Sequence, residues 1–155
     1  MVEEETRVRT LQTGHVGLNV TDLGRSKAFY REVFGFEAML ESAEEGRRFV
    51  FLGDGEKLIL TLWEQSEGSF GTGRPGLHHL SFEVPSVDEV RAYEEKLGAV
   101  GADFLYEGVV PHAEGAPSGG IFFRDPDGIR LEIYAPTGAE AEAVPVEGAP
   151  ACGFF

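Results

Sequence analysis

His15, His79 and Glu132 are residues whose types and spacing could hold a metal ion. Each lies in a stretch that alternates apolar and polar residues with a period of two, as a half-buried strand does. In His15-Val-Gly-Leu-Asn-Val20 the apolar set is Val16, Leu18 and Val20. In His79-Leu-Ser-Phe-Glu-Val84 it is Leu80, Phe82 and Val84, and in Ile129–Tyr134 it is Ile129, Leu131 and Ile133. The histidines and Glu132 fall in the opposite phase and so should share the polar face of a sheet. Imidazole is a borderline nitrogen donor and carboxylate a hard anionic oxygen. Two of the first and one of the second form a set that leaves coordination positions open for water, dioxygen or a chelating substrate. Tyr134, Arg130, Trp63, Asn19, Thr61 and Ser81 take the same phase and are candidates for substrate contact. His112 lies on a loop rich in Pro and Gly. His78 should point to the apolar side and pack in the core.

These residues need a scaffold, and the chain repeats one. His15 and His79 are offset by 79 − 15, or 64, residues, and each strand feeds a helical stretch, Asp22–Phe34 and Ser86–Leu97. Asp22 and Ser86 are N-cap residues, the second within a Ser-x-x-Glu capping box; Gly35 and Gly98 are placed to end the helices. Further on, Asp54 and Trp63 match Asp125 and Tyr134 at a common offset of 71. Strands are expected over 36–42, 48–52 and 58–63 in the first copy, and over 104–107, 121–124 and 129–134 in the second. Asp54-Gly55 and Asp125-Pro-Asp-Gly128 make the hairpin turns, and residues 109–120 form a longer middle loop. The fold class is α+β: two tandem βαβββ modules forming a cupped mixed sheet around a metal site. The division is a flexible arm over 1–12, module one over 13–64, a linker over 65–76, module two over 77–136 and a disordered tail over 137–155. The apolar end at Phe154-Phe155 could dock somewhere.

Composition narrows the partners. A net charge of −14 argues against nucleic acid and anionic membranes. The single cysteine, Cys152, has no partner for an internal disulfide. With no signal-like or membrane-length apolar run, a cytoplasmic location is the expectation.

The pattern resembles the vicinal oxygen chelate superfamily of glyoxalase I, extradiol dioxygenases, methylmalonyl-CoA epimerase and the fosfomycin- and bleomycin-resistance proteins. The resemblance spans about residues 13–136. It rests on His15-Val-Gly-Leu-Asn-Val-Thr-Asp-Leu23 with Phe29-Tyr30 and Phe34-Gly-Phe36, on Gly76-Leu-His-His-Leu-Ser-Phe-Glu-Val84, and on Phe123-Arg-Asp-Pro-Asp-Gly-Ile-Arg-Leu-Glu132. It implies a divalent metal at His15, His79 and Glu132, with Fe(II) first and Mn(II), Zn(II) or Ni(II) behind, a small-molecule substrate with vicinal oxygens, and a homodimer. Thr61 stands where glyoxalase I and the epimerase usually place a fourth ligand. Gly17 stands where the fosfomycin-modifying transferases carry Thr, and Phe123 where extradiol dioxygenases have Tyr; those dioxygenases carry an acid–base His in the loop ahead of that place, so the resemblance implies His112 as the candidate acid–base catalyst. An extradiol-type dioxygenase leads on this basis. A metal-dependent isomerase, epimerase or lyase and a metal-free drug-binding protein are the alternatives.

Overall fold

The computed structural model describes Val8 and residues 10–155, so the arm expected over 1–12 falls largely outside the described residues. In the first module β1 (Val16–Val20) leads into α1 (Leu23–Phe34), then β2 (Glu37–Ser42), β3 (Phe49–Gly53) and β4 (Leu58–Glu64). In the second, β5 (Leu80–Glu83) leads into α2 (Val87–Ala99), then β6 (Asp103–Phe104), β7 (Val110–Pro111), β8 (Gly119–Arg124) and β9 (Arg130–Ala135). Each module builds its own mixed sheet. The orders are β1-β4-β3-β2 and β5-β9-β8-β6, with β7 also on β8. The first strand of each module lies parallel to the last, β1 on β4 and β5 on β9, and the other pairs are antiparallel. The repeat read from the sequence is thus a repeat of topology.

The capping residues behave as their chemistry requires. Asp22 Oδ1 accepts from Arg25 N at 3.0 Å, and Ser86 Oγ accepts from Glu89 N at 3.3 Å. Gly35 ends α1 at φ 71°, a left-handed conformation that glycine adopts without a Cβ penalty. Gly98 does not end α2. The helix runs on to Ala99, and Gly101 makes the left-handed turn at φ 71°, with Ala102 N bonded to Leu97 O. The strand expected over 104–107 is limited to Asp103–Phe104, and the 109–120 loop contributes β7.

The apolar phases fill one core between the sheets and the helices. Val20, Leu52, Leu60, Leu62, Leu131 and Ile133 are among the residues buried there, and Tyr30, Val33, Val90 and Leu97 meet them from the helices. The modules also join through Phe34, whose ring lies 4.8 Å from Phe82 and 6.0 Å from Tyr93.

The Asp125–Gly128 turn does more than reverse the chain. Asp127 Oδ1 accepts from Thr21 Oγ1 at 2.5 Å and from Arg25 at 3.0 Å; its Oδ2 accepts from Thr21 N at 3.2 Å. Asp125 Oδ1 accepts from Asp127 N and Ile129 N, and its Oδ2 accepts from the fully buried Tyr30 hydroxyl at 2.8 Å. The expectation of a simple tight turn is therefore corrected: this turn clamps the second module to the start of α1. Burial pushes the Asp125 carboxyl above its ordinary range, opposed by the Tyr30 hydrogen bond. Burial likewise pushes the Tyr30 hydroxyl well up, with the Asp125 charge adding to it. The 65–76 linker is tied to the same turn, since Phe70 N donates to Asp127 O at 2.9 Å.

Residues 137–155, expected to be a disordered tail, fold back on the second module. Ala139 and Ala151 are buried, and Ala151–Gly153 forms a single 3-10 turn. The apolar end supplies the reason. Ala151 and Phe154 pack with Val110, Phe122 and Tyr106 in a small cluster of their own.

Candidate functional site

Glu132 is the centre of the polar face of the second sheet. Its register partners are Ser81 on β5 and Phe122 on β8, so three strands converge on it. It is 3% exposed, and both carboxylate oxygens are hydrogen-bonded. Oε1 accepts from Ser81 Oγ at 2.6 Å, and Oε2 lies 2.6 Å from His112 Nε2. An ionised carboxylate only accepts, so His112 Nε2 carries the proton in that pair. His112 Nδ1 faces Ser118 Oγ at 2.8 Å. Ser81, Glu132, His112 and Ser118 form one chain of bonds across the face. Gly120 makes the strands' close approach possible: a Cβ there would lie 2.0 Å from Ile133 O.

His79 precedes β5 and stands beside this chain. Burial lowers the affinity of its ring for a proton; the Glu132 charge opposes this, and His78, Arg130 and His112 add to the lowering. The ring is thus biased toward the neutral form that donates to metals. Its Nδ1 is 2.8 Å from His78 Nδ1, which leaves Nε2 as the ring nitrogen outside that pair. His78 is exposed, contrary to its expected core position, because β5 begins only at Leu80 and the strand alternation does not reach back to it.

His15 is exposed on the approach to β1. It lines a cavity of about 310 Å³ between the modules, together with Lys57, Ile59, Ser81 and Glu83. Among the described residues no group of three or more His, Cys, Asp or Glu side chains is placed to hold a metal ion. The second module thus brings Glu132, His79 and the expected acid–base residue His112 to one face, and His15 is not added to them. The candidate substrate contacts divide in the same way. Ser81, Arg130 and Tyr134 lie on the second sheet, where the Tyr134 ring is 5.1 Å from that of His112. Asn19, Thr61 and Trp63 lie on the first. There Trp63 Nε1 donates to the buried Thr61 Oγ1 at 2.9 Å, and Asn19 Oδ1 accepts from Gln65 N.

Two features of this face were not assigned from the sequence. Ser118 had no signal beyond its place in the Pro/Gly loop. Phe154 did have one, as an apolar residue beyond the last expected strand; its ring lies 5.9 Å from His79.

Residues 12–133 match the Glyoxalase/Bleomycin resistance protein/Dioxygenase superfamily. The chain belongs to this superfamily. It is 27% identical over 137 residues to a catechol-2,3-dioxygenase of Bacillus subtilis, a match covering 86% of this chain but only 43% of that protein. It is 30% identical over 125 residues to the fosfomycin resistance protein FosX of Listeria monocytogenes, covering 79% of this chain and 88% of that one. A crystal structure of FosX complexed with Mn(II) and sulfate has a TM-score of 0.59 at 25% identity, covering 86% and 98%. A crystal structure of a superfamily domain from Frankia sp. EAN1pec has a TM-score of 0.68 at 30% identity, covering 82% and 93%. Among the described residues no helix is long and apolar enough to cross a membrane.

Proposed function

We propose that this superfamily member is a divalent-metal enzyme acting on a small molecule with two adjacent oxygens. An extradiol-type dioxygenase using Fe(II) is the leading reaction. The observation that carries this reading is the buried Glu132 carboxylate, held by Ser81 and His112 on the face that also presents a neutral-biased His79. The catechol-2,3-dioxygenase relative supports the reaction class, and Mn(II) in FosX supports a divalent ion. His79 and Glu132 fit such an ion in donor chemistry. A third donor has to come from elsewhere, and in this proposal a second copy of the chain supplies His15 in a homodimer. The ion would polarise the two substrate oxygens as a Lewis acid and would support reaction with dioxygen. His112, oriented by Ser118, holds a proton at Nε2 on that face and is the residue to exchange one with a substrate hydroxyl. Tyr134 packs on the His112 ring and limits its orientations.

The test is the metal content of the purified protein beside His15→Ala and His79→Ala, with both variants also mixed after unfolding. About one equivalent in the wild type is expected, lost in each variant and partly regained in the refolded mixture. Regain follows because a mixed dimer keeps one intact set. No metal in the wild type, even after reconstitution, would sink the metal reading. Metal lost in both variants with no regain would place the set within one chain. Oxygen uptake with a catechol panel separates the dioxygenase from an isomerase or lyase.

A metal-free binding protein is the second reading. It is favoured by the completeness of the Ser81–Glu132–His112–Ser118 chain, which satisfies the buried carboxylate without an ion. Ligand-induced stabilisation that persists in chelator would support it.

A further inference from the structure

The residues that cover the candidate face belong to the protein itself. The Phe154 ring is enclosed by Tyr106, stacked at 6.0 Å and 16°, by Phe122, edge-on at 5.5 Å, and by His78 and His79 at 5.6 and 5.9 Å. The Arg130 guanidinium stands over its face at 4.5 Å. A cation above, an aromatic plane alongside and ring edges around it form an enclosure suited to an electron-rich aromatic ring. Apart from the ring itself, the segment that delivers it is held by the buried Ala151 and by two hydrogen bonds. Ala151 N donates to His112 O at 2.9 Å, and Tyr106 OH donates to Ala151 O at 2.8 Å. Residues 136–150 leading to it form neither helix nor strand. Phe154 is held at φ 56°, and among the described residues it is the one non-glycine with a positive φ. A phenylalanine has no local preference for that conformation, so the packing of its ring is what holds it there.

We propose that residues 150–155 are a strap whose Phe154 ring occupies a binding pocket for an aromatic ring beside His79, and that the strap must leave when such a ligand enters. The ligand class is a planar, electron-rich ring such as a phenol or catechol, because Arg130 faces the π-surface and the His79 ring stands roughly perpendicular to it, 5.9 Å away. The proposal rests on the reading of this face as the functional one. Strap and ligand exclude each other, so the closed population weakens apparent binding by the fraction of molecules that are open.

Cys152 lies within the strap, half-buried, and is the chain's single cysteine. Its reaction with a thiol reagent such as DTNB therefore reports strap release. In the protein without metal, Phe154→Ala should speed labelling about tenfold or more. Phe155→Ala, at an exposed ring, should leave the rate unchanged. Adding 4-nitrocatechol should speed labelling of the wild type to a plateau. The same probe, followed by its absorbance, should bind a variant lacking residues 149–155 about tenfold tighter than the wild type. Equal labelling of wild type and Phe154→Ala would overturn the proposal, as would equal affinity of the two chains for the probe or no binding to either. None of these readouts counts metal. A failed metal site with these results obtained would leave the strap standing, and an intact metal site with equal rates would remove the strap alone.

Discussion

On the first sheet, the face turned away from the helices carries Phe49, Phe51 and Trp63, which cover one another with ring centroids 5.3 to 5.8 Å apart. Thr61 is its one buried polar side chain, and its hydroxyl is taken by Trp63. On the second sheet the corresponding face carries a buried carboxylate, two imidazoles and a cover made from the last residues of the sequence. The topologies are the same, and β4 and β9 stand in equivalent places. Thr61 and Glu132 are both cross-strand neighbours of the module's first strand, through Gly17 and Ser81. The chemistry diverges through the longer middle loop, which brings in β7, His112 and Ser118. A topology thus fixes where a side chain points, the strand residue decides whether that position is titratable, and the loop supplies the partners it meets.

The comparison is broken most severely at Glu132. Glu132→Ala should remove metal binding and lower turnover by about 100-fold or more, read by elemental analysis and steady-state assay. Thr61→Val, at the equivalent place, should leave metal content unchanged. The two hairpin turns differ next. Asp127→Ala should destabilise the protein by about 2–3 kcal/mol in urea unfolding, since it strips charge-assisted bonds from the half-buried Thr21 and from Arg25 and leaves the buried Ser26 hydroxyl without its acceptor. Asp54→Ala removes bonds only to Glu56 N and Lys57 N within its own exposed turn, so the unfolding midpoint should move far less than with Asp127→Ala. Tyr30→Phe should cost about 1–2 kcal/mol by leaving an Asp125 oxygen without its buried donor.

The smallest effect is a pH dependence. Burial raises the Asp125 carboxyl above its ordinary 3.8, so it binds a proton more tightly folded than unfolded. The stability tied to this group is fully present below 3.8 and is lost as pH rises through the higher folded value. The stability of the wild type minus that of Asp125→Asn should therefore fall as pH rises from about 4, read by parallel urea titrations. A flat or rising difference would contradict the assignment of burial as the dominant cause.

Much of this contrast was legible in the sequence. The period of two put Leu18, Val20, Leu131 and Ile133 on the core side, and the shared offsets identified the modules. Asp22, Gly35 and Ser86 acted as local signals because capping needs only a few neighbouring residues. Glu132 was legible because strand phase alone sets its face, whereas His79, one residue ahead of β5, was legible from its offset to His15 in the repeat. His112 was legible as a residue type in a loop, but its 2.6 Å contact with Glu132 depends on β7 pairing with β8. Asp127 was read as a turn residue, because its partners Thr21 and Arg25 are over 100 residues away in sequence. The 137–155 segment has the composition of a disordered tail. Its two buried alanines and Phe154 were too few to show as a pattern, although they suffice to anchor it.

The clamp between Asp127, Thr21 and Arg25 has a consequence for the covalent continuity of the chain. Two halves joined by a buried charge, a shared aromatic cluster and Phe70 do not depend on the peptide bonds of the 65–76 stretch to stay together. The exposed Gly71–Gly73 region could be nicked and the two pieces would remain associated. Co-expressed as separate fragments, they should reassemble, as two once-independent copies of one module would have had to do.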